Sequence, residues 1–332
     1  MSEATGSTRT AVAVVHWGGK ADTLGCLQSV ALSKLPADPL LVIDNGTGML
    51  TAAEVEAVVP GAVLITVPEN LGFAGAANLA IRHALRAGVE FVMLLNNDAV
   101  LEPECLGELV RVAATTQQVG AVGAKILSAA DPSRLWMAYG RLTYRAALVE
   151  AVGKGEPDGP CFATLRDVDS VPGCGMLLTR TALEAVGLLD DQFFAYHEDI
   201  DWCTAARRRG FRIVFAPAAR VVHQGGASLA ANNDPVYYLA ARNTVLFARK
   251  HARLDQWLRL ITTIVGSLLL ECVRRRRRVS SRQWWWLVRG YRDGIRARSV
   301  PLDVLGLRSP GRPLPPAGSA ALESETATWG KS

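Results

Sequence analysis

Residues 11–15 (AVAVV) form an unbroken apolar run, the pattern of a strand covered on both faces. Gly18 and Gly19 interrupt it, and apolar positions then recur at helical spacing around Leu24, Leu27 and Val30. After Pro36 and Pro39 a second buried run covers 40–43 and stops at Asp44-Asn45-Gly46. Residues 51–59 predict a helix, with Thr51 as N-cap and Glu54 three positions on, the spacing of a capping box. A strand over 63–67 and a helix over 75–87, ended by Gly88, follow. A strand over 91–95 then runs straight into Asn96-Asn97-Asp98. Strands alternating with helices predict an α/β fold with a doubly wound, mostly parallel sheet flanked by helices. Such sheets bind ligands beyond the carboxyl ends of their strands, which gathers Trp17, Asp44, Asn70 and Asp98 around one crevice.

Beyond Asp98 the rhythm loosens. A helix over 106–114, a strand within 119–127 and a hairpin or long loop over 131–170 are predicted. The small-residue segment Pro172-Gly173-Cys174-Gly175 precedes a short helix over 181–186, with Thr181 near its cap. Three carboxylates, Glu198, Asp199 and Asp201, then open a helix that carries Arg207, Arg208 and Arg209. Strands over 211–215 and up to His223 come next, ahead of Gly225-Gly226, and residues 235–273 read as helices. The Pro-, Gly- and Ser-containing tail from about 308 onward predicts disorder.

Composition and charge narrow the picture. The 332 residues are 49% hydrophobic and 20% charged, enough for a sizeable core. Cys26, Cys105, Cys161, Cys174, Cys203 and Cys272 show no CxxC or zinc spacing, so they read as reduced core residues of a cytosolic protein. The N-terminus (MSEATGSTRT) lacks the apolar stretch of a signal peptide. The net charge of +5 hides an asymmetry, because residues 250–300 hold 13 Lys/Arg against 3 Asp/Glu, while the first 249 residues are mildly acidic. The basic segment therefore marks a partner of its own.

Like charges as close as Glu198, Asp199 and Asp201 disturb one another's proton affinity. The dull reading is an acidic first helical turn favoured by the helix dipole. The apolar run Phe193-Phe194-Ala195-Tyr196 just before them draws the cluster inward, where one carboxylate can deprotonate a hydroxyl. Asp98, with amide neighbours at a strand end, suits Mg²⁺ or Mn²⁺ held jointly with phosphate oxygens, or else forms an Asx turn. His223 stands where it can complete that site. Asp44 either accepts from a base or ribose or serves its turn, and Trp17 is either a base platform or core. The Gly/Ala-rich entrance to the helix after Asn70 either approaches phosphate or packs tightly on the sheet, and it is neither a P-loop nor GxGxxG. Within 256–292, Trp257, the apolar run 260–270, five consecutive arginines from Arg274 and Trp284-Trp285-Trp286 suit a membrane interface. No recognised nucleic-acid motif accompanies those arginines.

With these residues in place, the chain resembles the family 2 glycosyltransferases of the GT-A fold, especially bacterial rhamnosyltransferase-like members. The marks are VVHWGG, LVIDNG, PENLGFAGAANLAIRHA, LLNNDAVLEP, PGCGMLLTR, FFAYHEDIDWC, VVHQGGAS and YYLAARNTVLFARKH, in this order between about Thr10 and His251. The resemblance implies an inverting transfer from a nucleotide-diphosphate sugar to a glycan or lipid-linked acceptor. Trp17 and Asp44 would hold the base, and Asn70 with Gly72 through Asn78 would line the ribose and sugar side. Asp98, beside Asn97, would bind the metal with His223. Asp199 would be the general base, oriented by Glu198 and supported by Asp201, and Arg207 or Arg242 would assist at the diphosphate. Asn-Asn-Asp stands where a first acidic residue is common, which leaves Asp98 as the one direct carboxylate ligand. The expected organisation is a nucleotide-sugar-binding and catalytic domain over 1–230, a basic helical extension over 231–305 that touches a membrane surface, and a disordered tail over 306–332. A cytoplasmic enzyme peripheral to the inner membrane face, with dTDP-rhamnose as first donor and a homo-oligomer as one possible state, is the expectation. The alternatives are a nucleotidyltransferase on a similar sheet and a non-catalytic membrane-associated scaffold.

Overall fold

A computed structural model describes residues 9–224, 234–273 and 281–307. In chain order the first half comprises β1 (Thr10–His16), α1 (Lys20–Ala31), β2 (Leu40–Asn45), α2 (Ala52–Val58), β3 (Val63–Val67), α3 (Gly72–Arg86), β4 (Phe91–Asn96), β5 (Ala99–Leu101) and α4 (Cys105–Thr115). The middle comprises β6 (Val119–Ser128), β7 (Asp131–Met137), β8 (Tyr139–Leu142), β9 (Val149–Val152), β10 (Arg166–Asp167), β11 (Gly175–Thr179), α5 (Arg180–Val186), α6 (Glu198–Arg208) and β12 (Arg212–His223). Four helices follow, α7 (Asp234–His251), α8 (Leu254–Val273), α9 (Ser281–Ile295) and α10 (Leu302–Leu305).

The unbroken apolar run of β1 is buried at every position because both of its faces are covered. Ala11, Ala13 and Val15 pack on the α3 side, and Val12 and Val14 pack on the side of α1 and α4. Each Val or Leu buried in this way contributes roughly 1.5–3 kcal/mol. Strands β3, β2, β1 and β4 pair in parallel, in that order. Register aligns their carboxyl ends, with His16 opposite Asp44 and Val15 opposite Asn96. The predicted capping box of α2 is present, Thr51 accepting from Glu54 N while the Glu54 carboxylate accepts from Thr51 N.

The sheet is parallel at its centre but not throughout. β11 runs antiparallel between β4 and β6, with Gly175 opposite Leu95, and β12 pairs parallel with β6. This reversal matters for chemistry. An antiparallel strand that starts opposite the end of β4 brings the segment before it, Pro172-Gly173-Cys174, to the edge where Asn96 and Asp98 emerge. The two strands expected over 211–223 are one strand, β12, with its register shifted between Ala216 and Arg220. Pro217 lies in that shift, where its missing N–H costs the ladder nothing. The predicted excursion over 131–170 contributes β7 on the edge of β6 and the β8–β9 hairpin. The cap of α5 is Thr179, whose hydroxyl accepts from Ala182 N, and not Thr181.

α9 lies against α7 because Gly290 and Gly294, one turn apart, have no side chains to hold them off. A Cβ at these positions would fall 2.4 Å from Tyr238 O and 2.6 Å from Arg242 O. Cys26, Cys105, Cys174 and Cys203 are buried free thiols, whereas Cys161 is exposed, contrary to its reading as a core residue. Among the described residues no helix is long and apolar enough to cross a membrane. The tail from 308 and the arginine run 274–278 lie outside the described residues.

Candidate active site

The acidic cluster is delivered by a strained turn. Phe194, Tyr196 and His197 all adopt positive φ, at 64°, 68° and 72°, although none is glycine. Such residues cost on the order of 1–3 kcal/mol each and persist only where surroundings over-determine them. Asn243 of α7 supplies that constraint. It is fully buried, and its Nδ2 lies 2.9, 2.8 and 2.7 Å from the carbonyl oxygens of Phe193, Ala195 and Tyr196. Arg242, beside it, donates to Gln192 O and twice to Arg298 O, so α7 grips the turn and the C-terminal segment together. Burial pushes the His197 imidazole, the N-cap of α6, down to about 4.

The three acids that follow part company. Glu198 is buried, and its Oε2 has no hydrogen-bond partner. Burial, then the Asp199 charge, holds its proton well above the usual carboxylate range. Asp199 is half-buried; its Oδ2 accepts from Gly173 N at 2.9 Å and its Oδ1 from Ile200 N at 2.8 Å. Burial raises its pKa as well, and those two N–H groups hold back the rise. Asp201 does not support Asp199. Its Oδ1 lies 2.8 Å from His251 Nε2 and its Oδ2 2.7 Å from Lys250 Nζ, so it ties α6 to the end of α7. The helical period turns it about 200° from Asp199, away from that carboxylate. Asp201→Ala is therefore expected to lose about 3 kcal/mol in urea denaturation, since His251 stays buried without its partner; unchanged stability with lost activity would return Asp201 to the catalytic group.

Asp98 and His223 meet at the ends of β4 and β12. His223 Nε2 stands 3.0 Å from Asp98 Oδ1 and 3.3 Å from Asn96 Nδ2, and both residues are buried. The edge of Trp136 packs on the His223 ring at 4.7 Å and 87°. His223 Nδ1 is buried without a partner, and Nε2 faces the Asp98 carboxylate, which can only accept, so Nε2 carries the proton of that contact. At 3.0 Å the two are hydrogen-bonded, and a Mg²⁺ or Mn²⁺ ion would take the place of the shared proton, since two ligands held at ~2.1 Å and at right angles also lie ~3.0 Å apart. The pair fits a cation whose other ligands are phosphate and water oxygens. Among the described residues no group of three or more His, Cys, Asp or Glu converges to hold an ion alone. After burial, the charges of Asp199 and Asp98 both raise the buried Cys174 thiol.

Several predicted substrate contacts are already committed to protein partners. The Asp44 carboxylate is buried and accepts from Thr47 N and Oγ1 and Gly48 N at Oδ1 and from Leu50 N at Oδ2, so it shapes the loop after β2. Asn70 accepts from Asn45 Nδ2 and Gly72 N and donates to Leu307 O. Gly72 meets Phe194, not a sugar: its φ is +72°, a Cβ would fall 2.3 Å from Phe194 O, and that oxygen accepts from Ala74 N. At the N-terminus of α3 the N–H groups of Gly72 and Ala74 are thus taken by Asn70 and Phe194. Asn78 exchanges both hydrogen bonds with Leu189. Asn97 Nδ2 donates to Gly18 O and Thr23 Oγ1, pinning the turn after β1. Arg242 is 3% exposed, with its donors on Gln192, Asn243 and Arg298. Arg207 pairs with Asp169 at 2.7 Å and lines a groove of about 390 Å³ with Tyr139, Arg141 and Arg212, apart from Asp98 and Asp199. Trp17 is half-buried against Tyr238, Trp286, Leu305 and Leu307. Sequence reasoning missed Gly173, Asn243 and Trp136. The first two stand inside motifs already singled out, beside the residues chosen.

A sequence profile for the family described as "Glycosyltransferase like family 2" matches residues 8–234. The chain is 27% identical over 267 residues to the N-acetylglucosaminyl-diphospho-decaprenol L-rhamnosyltransferase of Mycobacterium tuberculosis, covering 74% of this chain and 85% of that one. It is 23% identical over 220 residues to the dTDP-rhamnosyl transferase RfbF of Shigella flexneri, covering 64% and 71%. Among solved structures, the mannosyltransferase PcManGT of Pyrobaculum calidifontis with GDP-Man and Mn²⁺ superposes with a TM-score of 0.56 at 16% identity, over 86% and 87% of the chains. S. aureus TarS 1–349 with UDP-GlcNAc superposes with a TM-score of 0.55 at 14% identity, over 90% and 83%.

Proposed function

Given that the chain belongs to glycosyltransferase family 2, we propose that it moves rhamnose from dTDP-rhamnose, with inversion, to a hydroxyl of a lipid-linked glycan acceptor in cell-envelope polysaccharide assembly. The observation that carries this reading is Asp199. It is the one member of the acid cluster that is both partly accessible and free of any ion pair among the described residues. Its proton affinity is raised by burial, which makes the carboxylate a better base than one in water. The acceptor hydroxyl gives its proton to Asp199, and its oxygen forms the new bond to the anomeric carbon. The bond from that carbon to the diphosphate breaks on the opposite side and releases the nucleoside diphosphate. Gly173 N–H and the turn gripped by Asn243 keep the carboxylate aimed. Asp98 and His223 would hold Mg²⁺ or Mn²⁺, which would offset charge on the departing diphosphate. Donor choice rests on the two rhamnosyltransferase relatives, and the lipid-linked acceptor rests on the decaprenol-linked one.

Thermal-shift titration with dTDP-, UDP- and GDP-sugars, each with Mg²⁺, Mn²⁺ or EDTA, tests this. A shift of several degrees with dTDP-rhamnose and metal, lost in EDTA, is expected, together with metal-dependent release of dTDP. Stabilisation by a different sugar nucleotide would replace the donor, and no binding of any nucleotide or metal would favour a scaffold.

A further inference from the structure

Leu254, Leu258, Ile261, Val265 and Leu269 follow one another along α8 at i, i+4, i+7, i+11 and i+15, which places them on one stripe. All five are exposed, Leu254 at 77% and Leu269 at 61%. The domain uses another side of the helix, where Leu260 is fully buried and Thr263 Oγ1 accepts from Ala146 N at 2.9 Å. Exposed aliphatic side chains scattered singly need no explanation, but five in line do. α9 repeats the division. Trp286 is buried against Tyr238, while Trp284 and Trp285 face outward and the Arg289 guanidinium lies 5.1 Å from the Trp285 ring centre.

We propose that α8 lies in the plane of an anionic lipid bilayer, with this stripe in the acyl boundary. The helix is not apolar enough to cross. Asp255, Arg259, Thr262 and Ser267 interrupt it on its other sides, as in helices that lie on a membrane. Charge selects lipid over a second copy of the chain. Residues 250–300 hold 13 Lys/Arg and 3 Asp/Glu. A two-fold contact through this stripe would set those cations against themselves, whereas anionic headgroups complement them. The proposal stands on this surface alone and is independent of the transfer chemistry.

The test uses the full chain and sedimentation with vesicles of phosphatidylcholine carrying about one-third phosphatidylglycerol, against pure phosphatidylcholine. Wild type is expected to pellet with the anionic vesicles and to be released by ~0.5 M salt in large part. Leu258→Glu with Val265→Glu is expected to bind at least ~tenfold more weakly, with an unchanged melting temperature and unchanged dTDP-rhamnose hydrolysis. Trp285→Ala alone is expected to weaken binding less. Equal pelleting of wild type and the double variant would overturn the proposal. So would absence of pelleting, and a dimer in light scattering that the double variant dissociates would assign the stripe to a second copy. Loss of hydrolysis in wild type with vesicle binding intact would count against the transferase reading alone.

Discussion

Asp199→Asn is expected to lower the rate of transfer by ~10²–10⁴-fold, the usual contribution of a positioned general base, and to leave a folded protein. The geometry supports both halves. Asp199 Oδ2 and Oδ1 are held by the N–H groups of Gly173 and Ile200, so an amide of the same shape keeps one of those bonds and turns a donor toward the other. That mismatch costs about 1 kcal/mol. The substitution also removes a carboxylate whose ionisation burial opposes. For an acid with a raised folded pKa, the folded state binds more protons than the unfolded state, so stability falls as pH rises from the unfolded value through the folded one. Glu198 adds a contribution of the same sign, from burial first and from the Asp199 charge second. Above that window both carboxylates oppose folding, and the Asn variant should melt no lower than wild type at pH 7. Activity runs the other way. It requires ionised Asp199, so the acid limb of the kcat profile should lie above the ordinary carboxylate range. Wild-type kcat in Asp199→Asn, or an acid limb near pH 4, would remove Asp199 from the role of base.

Asp98→Asn should reduce kcat/KM by ~10²–10³-fold, equivalent to ~3–4 kcal/mol of stabilisation at the leaving group. Asn keeps the volume, and its Oδ1 can still accept from His223, so the edge contact with Trp136 has no reason to shift. What disappears is the negative charge that a hard cation needs. Titration of activity with Mn²⁺ should therefore show the apparent metal affinity falling with the rate, and His223→Gln should weaken it less. A variant with the wild-type Mn²⁺ dependence would place the cation elsewhere.

Much of the fold was legible from periodicity, because strands covered on both faces must be apolar throughout and those of this sheet are. The run at β1 and the strand ending at Asn96 show it. The antiparallel entry of β11 was not legible, since an apolar strand reads the same in either direction. The site divides on the same line. Asp98, His223, Glu198 and Asp199 announce themselves as ionisable side chains at strand ends or clustered together. Asp201 was expected to support Asp199 because one-dimensional spacing does not say which helix a carboxylate faces, and its partners are on α7. Asn70, Asn78 and Arg242 carried the polar chemistry expected of ligand contacts. Only a three-dimensional count of donors shows that backbone carbonyls have used them.

By itself, then, the sequence determined the layered α/β sheet, the family to which the chain belongs and the concentration of basic residues in a C-terminal segment. Hydrophobic period and charge are local properties and survive without coordinates. Tertiary structure decided which side chains are spent on the fold. It set Gly173 against Asp199, placed Asn243 under a turn with three strained residues, paired Asp98 with His223, and left one stripe of α8 in water. Those are contacts between segments 26 to 125 residues apart, or the lack of one, and no local pattern encodes them.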